Sequence, residues 1–135
     1  MVFLDLLRTT EALSRPLVQL LKTEDLSPTQ YNVLRILRGS PDGLTCGEIG
    51  NRLITHDPDI TRLLDRMDKR GLITRERQTD DRRVVKTRIT ASGLAALKTL
   101  DGPVREMHKR QFQHMSATRL KTLSNLLREL QEGIS

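Results

Sequence analysis

The chain has 135 residues, about the length of one ordinary domain, enough for a real core but not for two independent ones. Apolar residues make up 36% and charged residues 30%, which excludes both a membrane-embedded chain and a disordered tail. The net charge is +6 and the only aromatic residues are Phe3, Tyr31 and Phe112. That scarcity disfavours a protein that stacks single-stranded bases on aromatic rings, and it leaves the core to Leu, Ile, Val and Met.

Cys46 is the sole cysteine, so no internal disulfide is expected. Met1 to Leu7 carries the acidic Asp5 and does not read as a signal peptide. No stretch approaches the ~20 apolar residues of a membrane span. These features fit a reducing cytoplasm and no membrane partner.

From Phe3 to Leu21, apolar residues recur at Phe3, Leu6, Leu13, Leu17 and Leu20, near heptad spacing, which predicts a helix kinked at Pro16. Ser27-Pro28-Thr29-Gln30 predicts the start of a second helix, with Ser27 as cap and Gln30 closing a capping box. Val33, Leu34 and Leu37 form its apolar face, and Gly39 with Pro41 ends it. Thr45-Cys46-Gly47-Glu48 is another capping box, opening a short helix through Ile49 and Leu53.

Asp57-Pro58 repeats the cap-and-proline signal and predicts a helix from Pro58 to Arg70. At 100° per residue, Ile60, Leu63, Leu64 and Met67 fall on its inner face, while Thr61, Arg62, Asp65, Arg66 and Lys69 lie around the outside. Lys69-Arg70-Gly71 marks its end. Residues 72–78 and 84–89 then read as two short strands around the charged turn Thr79-Asp80-Asp81-Arg82-Arg83. Thr90 caps a further helix carrying Leu94, Leu97 and Leu100, with an interruption expected near Gly102-Pro103. Ser116 caps the last, whose seam is Leu120, Leu123, Leu127 and Leu130.

Two short helices followed by a β-hairpin describe a winged helix-turn-helix, whose second helix enters the DNA major groove. Asp57 to Thr90 holds ten Lys or Arg against seven Asp or Glu, a modest excess. Its arginines fall on the outer helix face and at the hairpin tip, where one duplex would meet both. An amphipathic helix with a charged outer face is, taken alone, more often a solvated surface. The fold class expected is mainly α with a small β-hairpin wing, a winged helix-turn-helix lobe joined to a terminal-helix dimerisation platform.

The stretch from Leu44 to Gly93, above all Thr61 through Gly71-Leu72, then Asp80-Asp81-Arg82-Arg83 and Ile89-Thr90-x-x-Gly93, resembles the MarR family of bacterial regulators. The flanking helices match in order and length. The resemblance implies a triangular homodimer on a pseudo-palindromic operator in double-stranded DNA, acting as a repressor relieved by a small aromatic effector. It implies a lobe at 26–92 and a dimerisation region at 1–25 and 93–135. Pro58, Asp59 and Arg62 occupy the groove-facing helix start by similarity, with Thr61, Arg66 and Lys69 also on the DNA side. Arg83 matches the wing-tip arginine, beside Arg82, and Asp81 the acid that supports them. Family members usually carry Ser or Thr where this chain has Asp59. A carboxylate there either accepts from a cytosine amino group or caps the helix.

The dimer interface is expected in Leu6, Leu13, Leu17 and Leu20 and in Leu120, Leu123, Leu127 and Leu130. Cys46 reads as a structural or incidental thiol. His108 and His114 are six apart with no cysteine nearby and read as surface residues rather than metal ligands, and His56 as a surface residue or phosphate contact. No catalytic set, cofactor or metal site stands out, so no enzyme is expected. The rival is a winged-helix module that docks a protein, although adjacent tip arginines suit such docking poorly.

Overall fold

A computed structural model describes residues 1–134; Ser135, the last residue of the expected helical region, lies outside the described residues. Its order is α1 (Val2–Lys22), α2 (Pro28–Arg38), α3 (Cys46–Arg52), α4 (Ile60–Lys69), β1 (Ile73–Arg77), β2 (Val85–Ile89), α5 (Ala91–Phe112) and α6 (Ala117–Ile134).

The two capping boxes form as the sequence predicts. Ser27 Oγ accepts the Gln30 N–H at 3.1 Å, and Gln30 Oε1 accepts the Ser27 N–H at 3.0 Å. Thr45 and Glu48 repeat the exchange at 3.2 and 2.9 Å. The Thr45 backbone N–H, helped by its side chain, holds the Glu48 carboxyl below the usual carboxylate range. A carboxyl lowered by folding stabilises fully above its unfolded pKa, and that contribution fades as pH falls through the lowered value.

Three local expectations are corrected. Helix α4 starts at Ile60, because Asp57 Oδ1 accepts the Asp59 N–H at 2.8 Å and closes a turn instead of opening the helix. Helix α5 runs unbroken through Gly102-Pro103. Gly and Pro together cost a helix about 4 kcal/mol, whereas each fully buried side chain contributes about 1.5–3 kcal/mol. Leu97, Leu100, Val104 and Met107 are buried on both sides of the break, so packing overrides the local signal. Leu94, on the expected stripe, is 43% exposed. Helix α1 spans Val2–Lys22 with Pro16 inside it, so the expected helix forms around that proline.

Strands β1 and β2 pair antiparallel from Ile73↔Ile89 to Arg77↔Val85. Leu44 adds a single bridge to the buried Thr87, through bonds of 2.7 and 3.0 Å. The core joins Leu21 of α1, Val33, Leu34 and Leu37 of α2, Ile49 of α3, Leu64 and Met67 of α4, Ile73 of β1, and Leu97 and Leu100 of α5.

Two glycines fix how α4, the hairpin and α5 meet. Gly71 has φ +74°, a left-handed turn that reverses the chain from α4 into β1. Gly93 sits in the first turn of α5, where an added Cβ would lie 2.5 Å from the Leu72 carbonyl oxygen and 2.7 Å from Ile89 Cγ1. Gly93→Ala is therefore expected to destabilise by about 1–3 kcal/mol through overpacking against backbone. Gly47→Ala, exposed on α3 with no atom within 4 Å, is expected to stabilise by about 0.5–1 kcal/mol. Chemical denaturation midpoints read both, and an unchanged midpoint for Gly93→Ala would contradict the close approach.

Candidate nucleic-acid interface

Burial of Leu64 and Met67, with Ile60 and Leu63 packed against the core, fixes the rotation of α4. Thr61, Arg62, Arg66 and Lys69 are consequently exposed, preceded by Pro58 and Asp59 on the exposed entry turn. Asp59 stands at the N-cap position, yet its side chain caps no backbone group. Its Oδ2 lies 3.3 Å from Arg62 Nε. Arg66 and Lys69 border an open depression with Arg70 and the start of α2, and neither forms an ion pair among the described residues.

The turn at 79–83 is held from two directions. Asp81 Oδ1 accepts the Arg83 backbone N–H at 3.1 Å and its Nε at 3.4 Å. Arg77 Nη1 donates to the Arg82 carbonyl at 2.7 Å. The Arg82 and Arg83 side chains remain in solvent, that of Arg83 being 93% exposed.

Arg75, which the sequence reading passed over, ties the hairpin to α4. Its Nη2 meets Asp65 Oδ1 at 2.6 Å and Asp68 Oδ2 at 3.3 Å. Asp65 is therefore turned towards β1 rather than lying on a simple solvated face. Burial opposes the Arg75 charge, but the bonds from Asp65 and Asp68 outweigh it and raise its pKa. The available signal was Asp65 and Asp68 at i, i+3 on one helix edge, followed after a glycine reversal by a strand arginine.

At the other end of the molecule, α6 buries no residue, and Leu123, Leu126 and Leu130 are exposed along it. Leu120 and Leu127 are half-buried. On α1, Phe3, Leu4 and Leu7 are exposed, Leu6 and Leu13 are half-buried, and Leu17 and Leu20 pack partly on the chain's own core. A groove of about 700 Å³ runs between these helices, lined by Leu6, Leu13, Phe112, Met115, Leu123 and Leu127 among others. Cys46 is partly buried, and the His108 ring lies 3.1 Å from Gln111 Oε1. Among the described residues no cluster of three or more His, Cys, Asp or Glu could hold a metal, and no helix is long and apolar enough to cross a membrane.

This arrangement has close parallels among known proteins. A family model described as the MarR family matches residues 26–85. The crystal structure of a MarR transcription factor from Planctomyces limnophilus is 41% identical, covers 94% of this chain and 93% of its own, and superposes with a TM-score of 0.72. The chain belongs to the MarR family. It is thus a member of a family of transcriptional regulators, with a winged helix-turn-helix fold. A mutant MarR from E. coli, crystallised with operator DNA, is 25% identical with a TM-score of 0.82, covering 93% of this chain and 89% of that one. The transcriptional repressor IacR of Pseudomonas putida is 29% identical over 81% of this chain, and the chain spans 65% of the length of that relative.

The Arg75 clamp generates a specific expectation. Arg75→Ala leaves Asp65 and Asp68 facing each other without their shared cation, and it frees the hairpin from α4. Its partial exposure keeps the stability loss modest, on the order of 1 kcal/mol. Faster amide hydrogen exchange in β1 and β2 than in α2 is the expected readout. Unchanged hairpin exchange would show that the strands are held without Arg75.

Proposed function

We propose that this MarR-family chain is a homodimeric repressor that binds a pseudo-palindromic operator in duplex DNA. The observation that carries this reading is that α4 and the hairpin, joined through the Arg75 contacts, present two cationic surfaces together. Arg62, Arg66 and Lys69 project from α4, and Arg82 and Arg83 from the braced wing tip. Phosphates call for such cations, and a narrow minor groove attracts arginine. In this reading Pro58, Asp59, Thr61 and Arg62 face the major groove, Arg66 and Lys69 face the backbone, and Asp81 supports the wing arginines.

Residues 26–92 serve as the DNA-binding lobe, with 1–25 and 93–135 as the dimerisation region. Support for the second assignment is the exposed leucine of α1 and α6, since burying each contributes about 1.5–3 kcal/mol. A twofold pairing covers Leu6, Leu13, Leu120, Leu123, Leu127 and Leu130 at once, while Leu17 and Leu20 divide between that seam and their own core. It sets two α4 helices about one DNA turn, ~10 bp, apart or slightly more. A small aromatic effector that weakens DNA binding fits a hollow of about 230 Å³ where α1 meets α2 and the α3–α4 turn. Leu17, Tyr31, Arg35 and Ile54 contribute to its lining, and the Arg35 guanidinium lies over the Tyr31 ring at 5.7 Å. The cytoplasm is the compartment such a protein works in.

Two measurements test this. Arg83→Ala is expected to weaken duplex binding by about 1–3 kcal/mol in a mobility-shift titration. Unchanged affinity would remove the wing from the interface. Leu123→Glu with Leu127→Glu is expected to turn a dimer into a monomer by sedimentation and to abolish operator binding. Because α6 buries no residue in the single chain, the circular dichroism of the lobe should survive. Native protein sedimenting as a monomer at micromolar concentration would contradict the dimer.

A further inference from the structure

Helix α4 begins with an acid on a face otherwise lined by cations. Asp59 is the N-cap by position, and its carbonyl accepts the Leu63 N–H at 3.2 Å. Its own N–H is held by Asp57 Oδ1 at 2.8 Å. The main chain is thus fixed on both sides, while the carboxylate caps nothing and turns to Arg62 Nε at 3.3 Å.

Stability does not account for this pair. Its side chains are 56% and 69% exposed, and an exposed i, i+3 ion pair contributes little. Geometry is more informative. The contact engages Nε of Arg62, and neither Nη1 nor Nη2 has a partner among the described residues. Those two groups can form the fork that meets guanine O6 and N7 in the major groove. An arginine already held at its Nε loses less side-chain freedom when it binds. The pair is also electrically neutral, so it adds little to the attraction that every phosphate backbone exerts. Arg66 and Lys69, which have no such acid partner, carry that non-specific attraction instead.

We propose that Asp59 is a positioning residue that holds Arg62 for reading one guanine in each half-site, and that it contacts no base itself. The proposal rests on α4 being the base-reading helix. It makes the acid at the helix start a specificity device, lowering affinity for wrong sequences while preserving the correct one.

The test uses the full chain and two probes: duplexes selected by the native protein from a randomised library, and a random-sequence duplex. Arg62→Ala and Asp59→Ala are each expected to lose preference at the same base pair of the half-site, by on the order of tenfold. The double variant loses no more at that position. Asp59→Ala binds the random duplex as well as the native protein does, or better. Asp59→Asn, which keeps an acceptor oxygen without the charge, retains part of the preference.

Three results would overturn the proposal. Asp59→Ala keeps the native preference; or it loses preference where Arg62→Ala does not, making Asp59 a base reader; or it weakens all sequences equally, as a structural role would. If the native protein itself selects no sequence, the assignment of α4 as reader fails along with the proposal, which distinguishes that failure from a failure of Asp59 alone.

Discussion

The withdrawal of one face of α4 from water is the constraint on which the rest of the molecule depends. Leu64 is 1% and Met67 0% exposed, and they meet Leu34, Leu37 and Ile49 in a single core. Turning the helix by even one residue would bring a charged side chain into that core, at a cost larger than any surface interaction could offset. The outward direction of Thr61, Arg62, Arg66 and Lys69 is therefore a consequence of packing. The outward direction of these residues needs no surface interaction to set it, and the Asp59 contact bears only on how the Arg62 side chain is held.

The same core reaches the wing through two different kinds of contact. Gly93 lets α5 approach the Leu72 carbonyl and Ile89, which seats the base of the hairpin against the domain. Arg75 then ties β1 to the polar edge of α4 through Asp65 and Asp68. Helix and hairpin consequently share one frame, and the tip arginines extend from it. Along the terminal helices the single chain leaves apolar surface in water: α6 buries no residue, and apolar residues of α1 and α6 face solvent across a groove. A molecule built this way carries a polar, cationic surface of the kind that attracts a polyanion and, apart from it, an apolar surface of the kind that marks an interaction site.

Local chemistry made much of this legible in the sequence. Ser27 with Gln30 and Thr45 with Glu48 announce helix starts because each box is completed within four residues. The i, i+3, i+4, i+7 pattern from Ile60 to Met67 gives the inner face of α4 for the same reason. Asp57-Pro58 misleads because an aspartate closes a turn with the same side-chain acceptor that caps a helix. Gly102-Pro103 misleads because the burial that holds α5 together comes from α1 and α2, distant in sequence. The Asp65–Arg75 bond left only a faint trace, two acids at i, i+3, because its arginine comes back beside α4 only through the glycine reversal. The pairing of Asp59 with Arg62 lay within helical reach, but nothing in the sequence decides among capping, base contact and ion pairing.

The central claim is that the exposed cations of α4 and the wing bind the phosphates of duplex DNA. The most direct measurement is the equilibrium binding constant of the native protein for a duplex across a series of salt concentrations. Displacement of counterions makes the logarithm of that constant fall linearly with the logarithm of salt, by about 0.9 for each phosphate neutralised. Arg62 aside, Arg66, Lys69, Arg82 and Arg83, counted on both protomers of the proposed dimer, predict a steep line with a slope of several units. A slope near zero, or no duplex binding at low salt, would contradict the account.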